Sequence, residues 1–159
     1  MRNLTINGER LWSSLVELAR IGATEKGGVC RLAASDLDGE ARRLFIRWCE
    51  EAGCTVTVDG IGNIFARRPG RNPALPPVMT GSHLDTQPTG GRFDGAYGVM
   101  AGLELIRQRI EEKRRREFEA EARRQCLEAN AAARDPTSDE AAVMRELDAD
   151  LERFTKEWK

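Results

Sequence analysis

Histidine and long apolar runs are both scarce in this sequence of 159 residues. His83 is the only histidine, so the chain by itself cannot build a site that needs several imidazoles. No run approaches the roughly 20 apolar residues that a membrane span requires. The first 20 residues contain charges and no apolar stretch typical of a signal peptide. These absences predict a cytoplasmic protein.

Cysteine spacing and net charge exclude further classes. The four cysteines show no C-x-x-C pair, and in a chain without an export signal we expect reduced thiols, neither a disulfide framework nor a zinc knuckle. The net charge is −1, which gives no reason to expect a nucleic-acid partner. The basic stretch "KRRRE" adjoins several glutamates, which indicates a solvated helix face.

The composition changes near Gln108. Before it lie all 15 glycines and five of the six prolines, whereas the stretch after it is rich in Arg, Glu and Ala. We therefore predict two segments. The first is residues 1–108, and the second, residues 109–159, is a charged helical tail of two helices broken near Pro136.

The first segment has the pattern of an α/β fold. Periodic apolar residues predict helices within 7–22, with Gly22 as a stop, and within 35–53, capped by Ser35, Asp36 or Asp38. Alternation predicts two strands joined at Asp59-Gly60. A short buried strand is expected at 77–80, and another helix begins near Gly95. This order of elements predicts an α/β fold with an α-helical C-terminal extension.

The tail is predicted to continue the helix that begins near Gly95 as far as residue 134. Thr137 and Glu140 fit a capping box for the next helix. That helix would carry an apolar seam, which either packs on the chain's own body or forms a short coiled coil. The seam consists of Met144, Leu147, Leu151, Phe154 and Trp158.

Residues 81–95, "GSHLDTQPTGGRFDG", combine His83 with Asp85 and Asp94 around a glycine-rich loop. In an extended segment Asp85 points to the same side as His83 and can accept the imidazole N–H, as carboxylates behind metal-bound histidines do. Gly90-Gly91 give the loop the freedom to bring His83 and Asp94 together. The alternatives are a hydrogen-bonded histidine without a ligand and an ordinary surface loop.

Residues 7–108 resemble the N-terminal part of the bacterial N-carbamoyl-L-amino-acid hydrolases, relatives of allantoate amidohydrolase and beta-ureidopropionase. The matching stretches are "NGERLW", "GGVCRLAASD", "VDGIGNIFARRPG" and "TGSHLDTQPTGGRFDGAYGVMAGLE". The resemblance implies that residues 1–108 form the N-terminal part of the catalytic domain of a dimeric, metallopeptidase-like amidohydrolase with two divalent ions, zinc, manganese or similar. Such an enzyme cleaves a C–N bond in N-carbamoyl-L-amino acids or related ureido compounds.

The same resemblance assigns roles to three residues. His83 would ligate one metal ion, Asp94 would bridge both, and Asp85 would orient His83 as the catalytic carboxylate. Imidazole and carboxylate suit such ions, which activate water and polarise the ureido carbonyl.

The chain also departs from the family pattern. That pattern needs a Glu-Glu pair after a later strand and two more histidines, whereas Glu50-Glu51 and Glu111-Glu112 follow no predicted strand. We therefore expect a truncated or fused form that is inactive alone. An exposed strand edge and apolar surface should cause self-association.

A second interpretation concerns the tail. Residues 118–154 resemble the C-terminal helical part of small bacterial antitoxins, which wrap their toxins. The alternative function is then a helical partner-binding protein that carries a hydrolase remnant.

Overall fold

The computed structural model describes residues 5–134 together with residues 145, 146 and 149. The chain divides into two units, Met1–Glu111 and Glu112–Lys159. The predicted break at Pro136, the capping box and the apolar seam of the last helix lie outside the described residues.

Helix α1 spans Gly8–Leu18 and confirms the first predicted helix. The side chain of Asn7 caps it by accepting a hydrogen bond from the backbone N–H of Arg10 at 3.0 Å. Its apolar stripe, Leu11, Leu15 and Leu18, is buried. The helix ends before the predicted stop, and Gly22 (φ +80°) lies in the turn that follows.

Helix α2 spans Asp36–Glu51, as predicted. Of the three capping candidates, Ser35 takes the role, because its hydroxyl accepts from the backbone N–H of Asp38 at 3.2 Å. The carboxylate of Asp38 reaches back to the N–H of Ala34 at 3.0 Å, so the pair satisfies two backbone donors at this end. The helix is followed by Gly53 at φ +71°.

Strands β1 (Thr55–Val58) and β2 (Ile64–Arg67) form the predicted antiparallel hairpin. Their register pairs Thr55 with Arg67 and Val58 with Ile64. In the connecting turn, the carboxylate of Asp59 accepts hydrogen bonds from the backbone N–H groups of Ile61 and Asn63. This two-stranded sheet is the only one among the described residues.

The predicted buried strand at 77–80 is wrong. The segment forms no strand, and its side chains are exposed, Val78 and Met79 strongly so. A strand needs a hydrogen-bonded neighbour, and the described sheet ends with β1 and β2. Local apolar residues therefore did not suffice to make this segment a strand.

Helix α3 spans Ala96–Arg134, so the predicted continuity across residue 109 is confirmed. Its first turns bury Ala96, Met100 and Leu103, whereas residues 113–131 are exposed. None of the described helices combines the length and apolar character needed to cross a membrane.

The core of the first unit is formed by α1, α2 with the two residues Ala52 and Cys54 that follow it, the start of α3, and Leu84 from the loop before α3. Leu84 is buried against these helices, while its neighbours His83 and Asp85 are not. Burial of Leu84 in the core therefore fixes the middle of the candidate segment 83–85. The part of the chain that is described is a partial α/β domain with a long C-terminal helix.

Candidate functional site

Residues 83–86 belong to no helix or strand, and the burial of their side chains alternates as in an extended segment. Leu84 and Thr86 are buried, whereas His83 is exposed and Asp85 is partly exposed. Because successive side chains of an extended chain point to opposite sides, burial of 84 and 86 directs 83 and 85 together to the outer side. The structure thus brings His83 and Asp85 together, as the sequence predicts.

The imidazole of His83 is held through its Nδ1 atom. Nδ1 lies 3.0 Å from the backbone carbonyl oxygen of Asp85 and 3.4 Å from its carboxylate oxygen Oδ1. A carbonyl oxygen only accepts hydrogen bonds, so Nδ1 is the donor. This tautomer leaves the lone pair on Nε2, the nitrogen then able to bind a metal ion.

The other side of the imidazole lies against Gly95. A Cβ at this position would come within 2.4–2.5 Å of three ring atoms of His83, and Gly95 has φ +66°. Both facts require glycine, since a side chain would displace the ring and strain the backbone. Gly95 follows Asp94, so the loop reaches the imidazole at the residue next to the predicted bridging carboxylate.

Asp94 lies in the turn that precedes α3 and is exposed. Its carbonyl oxygen accepts from the N–H of Ala96 at 2.7 Å. The sequence predicts that Gly90 gives the loop conformational freedom. In the structure the lack of a side chain at Gly90 serves packing, because a Cβ there would meet the Cβ of Thr86 at 2.8 Å. Gly90 therefore allows two backbone segments to approach closely.

The donor set among the described residues is too small for a complete catalytic metal site. Within the described part of the chain, no group of three or more His, Cys, Asp or Glu side chains is placed to hold one. A catalytic zinc normally has three protein ligands. The residue types at 83, 85 and 94 suit a divalent ion, but their number does not.

Arg31 is a residue that the sequence reasoning missed. It is 1% exposed, and its guanidinium donates to three backbone carbonyl oxygens, at 2.8–3.1 Å: Leu84, Leu18 and Ile21. The available signal was an arginine inside the apolar stretch "VCRLAA". Burying an arginine costs free energy unless its donors are satisfied, so an arginine in an apolar stretch indicates a side chain with buried hydrogen-bond partners.

The backbone around Arg31 also holds the site segment. The N–H of Arg31 donates to Thr86 Oγ1, and the N–H of Thr86 donates to the carbonyl of Arg31, each at 2.7 Å. Val29 and Gly90 exchange two further backbone hydrogen bonds, at 3.0 and 3.1 Å. Residues 84–90 are therefore tied along their length to residues 29–31.

A cavity of about 280 Å³ opens beside His83. Its walls come from α2, β2, residues 80–85 and the start of α3, and polar lining residues include Asp38, Arg42 and Asp85. Cys49 also lines it, but burial raises the pKa of this thiol to about 12. Cys49 is then protonated at neutral pH and does not act as a nucleophile.

Neither glutamate pair of the sequence follows a strand in the structure. Glu50 and Glu51 end helix α2. Glu111 lies in α3, where its carboxylate pairs with Arg10. The departure from the family pattern is therefore confirmed at both pairs.

Comparisons with known proteins agree with the resemblance. The chain is 55% identical over 105 residues to an N-carbamoyl-L-amino-acid amidohydrolase of Rhizobium meliloti, a match that covers 66% of this chain and 25% of the relative. It is 36% identical over 104 residues to ureidoglycolate hydrolase of Arabidopsis thaliana, covering 65% and 22%. No family model matches the chain.

Solved structures give the same result. A hydantoinase/carbamoylase family amidase from Burkholderia multivorans aligns with a TM-score of 0.68 and 61% identity, covering 69% of this chain and 27% of that one. A related amidase from Burkholderia ambifaria aligns with a TM-score of 0.65 and 61% identity, covering 66% and 26%. The comparisons do not support the antitoxin interpretation of the tail.

The chain spans about a quarter of the length of these relatives. About two thirds of this chain are therefore similar, in sequence and in fold, to one part of the N-carbamoyl-L-amino-acid amidohydrolases.

Proposed function

We propose that residues 7–108 carry part of the active site of an amidohydrolase that acts on N-carbamoyl-L-amino acids or related ureido compounds. His83 serves as a ligand of a divalent ion through Nε2, Asp94 as a bridging ligand, and Asp85 as the residue that orients His83. The observation that carries the proposal is the imidazole of His83, held by Asp85 on one side and by Gly95 on the other.

We further propose that the chain alone does not hydrolyse such substrates. Too few metal-binding side chains lie together in its described part. Neither glutamate pair follows a strand there, so neither pair is placed to supply the general base. Hydrolysis of a ureido C–N bond needs water to be deprotonated as it attacks the carbonyl carbon. In this proposal the described residues form part of such a centre and lack the general base for that step.

The metal ligands can be tested by calorimetric titration with Zn²⁺. We expect weak binding by the wild-type chain, loss of that binding in His83→Ala, and weakening in Asp94→Asn. Asp59→Asn is the matched control, because Asp59 is an exposed aspartate whose described side-chain hydrogen bonds all stay within the β1–β2 turn. The heat of binding should stay the same in this control. An unchanged Zn²⁺ stoichiometry in His83→Ala would refute the role of His83.

The second measurement is release of the free amino acid from an N-carbamoyl-L-amino acid. We expect none above the buffer rate, with or without added Zn²⁺ or Mn²⁺. Turnover that depends on His83 would show that the centre is complete in this chain, and would disprove the second proposal while supporting the first.

A further inference from the structure

We infer that Arg31 is a positioning residue for His83 and Asp85, an inference that rests on the proposed function of these two residues. Arg31 does not touch the imidazole. It acts on the peptide between His83 and Asp85, because its Nε donates to the carbonyl oxygen of Leu84 at 2.8 Å.

The contacts fix this segment at two alternate residues. The Arg31 side chain holds the carbonyl of Leu84, and the Arg31 backbone exchanges two hydrogen bonds with Thr86. Holding residues 84 and 86 from the inner side sets the direction in which 83 and 85 leave the backbone. One residue thereby controls the orientation of both proposed site residues.

The burial of Arg31 supports a positioning role over simple packing. The guanidinium is fully enclosed, and the three hydrogen bonds described for it all end on backbone carbonyls, of Leu18, Ile21 and Leu84. An apolar side chain would fill the same space without the cost of burying a charge. The planar fork instead joins the end of α1 to the site segment with fixed geometry.

Nearby charges fit the same role. Burial lowers the pKa of Arg31, and the carboxylates of Asp38 and Asp85 partly offset that effect. Asp38 lies at the start of α2, and Asp85 is the residue that contacts His83. The buried cation is therefore placed to attract the carboxylate that accompanies the imidazole.

The consequence is a defined tautomer of His83. Nδ1 donates to the carbonyl of Asp85, which belongs to the segment that Arg31 holds. If Arg31 no longer fixes Leu84, this carbonyl loses its fixed position, and the neutral imidazole populates both tautomers. Because His83 is the only histidine, its ring ¹⁵N signals report the tautomer without assignment ambiguity.

The test compares Arg31→Met and Arg31→Lys with the wild-type full chain by ¹⁵N NMR of the His83 ring, at a pH where the imidazole is neutral. We expect a single Nδ1–H tautomer in the wild type and a mixture in both variants, since an ammonium cannot reproduce the guanidinium fork. The Thr86 N–H keeps its acceptor, the backbone carbonyl of Arg31, but its amide exchange should accelerate about tenfold, because loss of the Arg31–Leu84 hydrogen bond makes local opening of this segment easier. Exchange of the amide of Ala52, the C-cap residue of α2 whose N–H donates to Trp48, should stay unchanged.

Arg10→Met is the matched control. Arg10 also joins two segments, α1 and α3, but contacts no residue of 83–86 among its described partners. We expect lower stability with an unchanged His83 tautomer. If the Arg31 variants do not fold, Thr86→Val, which keeps the volume and removes the acceptor for the Arg31 N–H, must show the same tautomer mixture.

A folded Arg31→Met or Thr86→Val protein with the wild-type tautomer and Thr86 exchange would overturn the inference. Failure of the proposed function gives a different result, namely no Zn²⁺ binding by the wild type while the Arg31 variants still change the tautomer. The two failures are therefore distinguishable.

Discussion

At the scale of single residues, the site depends on close packing between an imidazole and a glycine. Gly95 and Gly53 both have positive φ, +66° and +71°. They differ in surroundings, because a Cβ at Gly95 would clash with His83, whereas a Cβ at Gly53 would have no atom within 4 Å. Substituting each of the two glycines in turn therefore separates the free-energy cost of backbone strain from the effect on the imidazole of His83.

We predict that Gly95→Ala and Gly53→Ala each lower the free energy of unfolding by about 1–2 kcal/mol, the cost of a left-handed conformation for a residue with a Cβ. Only Gly95→Ala should change the NMR signals of the His83 ring, because only its new methyl group meets the imidazole. Chemical denaturation and ¹H–¹⁵N spectra measure the two effects. Equal His83 signals in both variants would contradict the described packing.

At the scale of elements, a buried ion pair joins α1 to α3. Arg10 donates to both carboxylate oxygens of Glu104, each at 2.8 Å, and Glu104 is 1% exposed. Burial alone would raise the pKa of Glu104, but hydrogen bonds from Arg10 and from the backbone of Asn7 outweigh it and lower the pKa. Glu104 is therefore charged in the folded protein at neutral pH.

This pair predicts acid sensitivity. Because the folded-state pKa of Glu104 lies below the unfolded value near 4.5, its stabilisation is complete above that value and is lost as the pH falls through the folded-state pKa. Glu104→Gln should cost about 2 kcal/mol at neutral pH. It should also flatten the decline of the free energy of unfolding below pH 4.5, measured by urea denaturation across the acid range.

Glu121→Gln is the control for this prediction. Hydrogen bonds from Arg124 and Gln125 also lower the pKa of Glu121, but this side chain is fully exposed on α3. Exposed pairs contribute little to stability. A similar change of the acid slope in both variants would show that the ion pair at Glu104 is not responsible.

At the scale of the whole molecule, apolar side chains are exposed in residues 75–80, which include the segment wrongly predicted as a strand. Leu75, Val78 and Met79 are all at least two-thirds exposed. The opposite side of the segment packs on α3, where a Cβ at Gly98 or Gly102 would meet Ser82 or Thr80 at 2.8–2.9 Å. An extended apolar segment without a neighbouring strand invites association.

We predict that the wild-type chain self-associates and that Val78→Asp, with or without Met79→Asp, shifts it toward smaller species. A charge on this surface opposes burial between copies. Leu127→Asp is the control, since Leu127 is also an exposed apolar residue but lies on the charged part of α3. Sedimentation velocity over a concentration series measures the change. A monodisperse wild-type monomer at high concentration would contradict the prediction.

Local sequence signals predicted the helices and the hairpin. The apolar spacing of Leu11, Leu15 and Leu18 and the cap at Ser35 depend on neighbours a few residues away, so they can be read from the sequence. The pairing of His83 with Asp85 was predictable for the same reason, since they are two residues apart in an extended segment.

The remaining features depended on residues far apart in the chain. The segment at 77–80 has strand-like residues but no neighbouring strand among the described residues, and the charge of Arg31 is buried only because α1 and the loop at 84–86 close around it. The sequence by itself determined the local elements and which residue types could serve a site. Only the tertiary structure decided that Gly95 meets His83 and that Arg31 holds Leu84, because both contacts join segments that local interactions do not bring together.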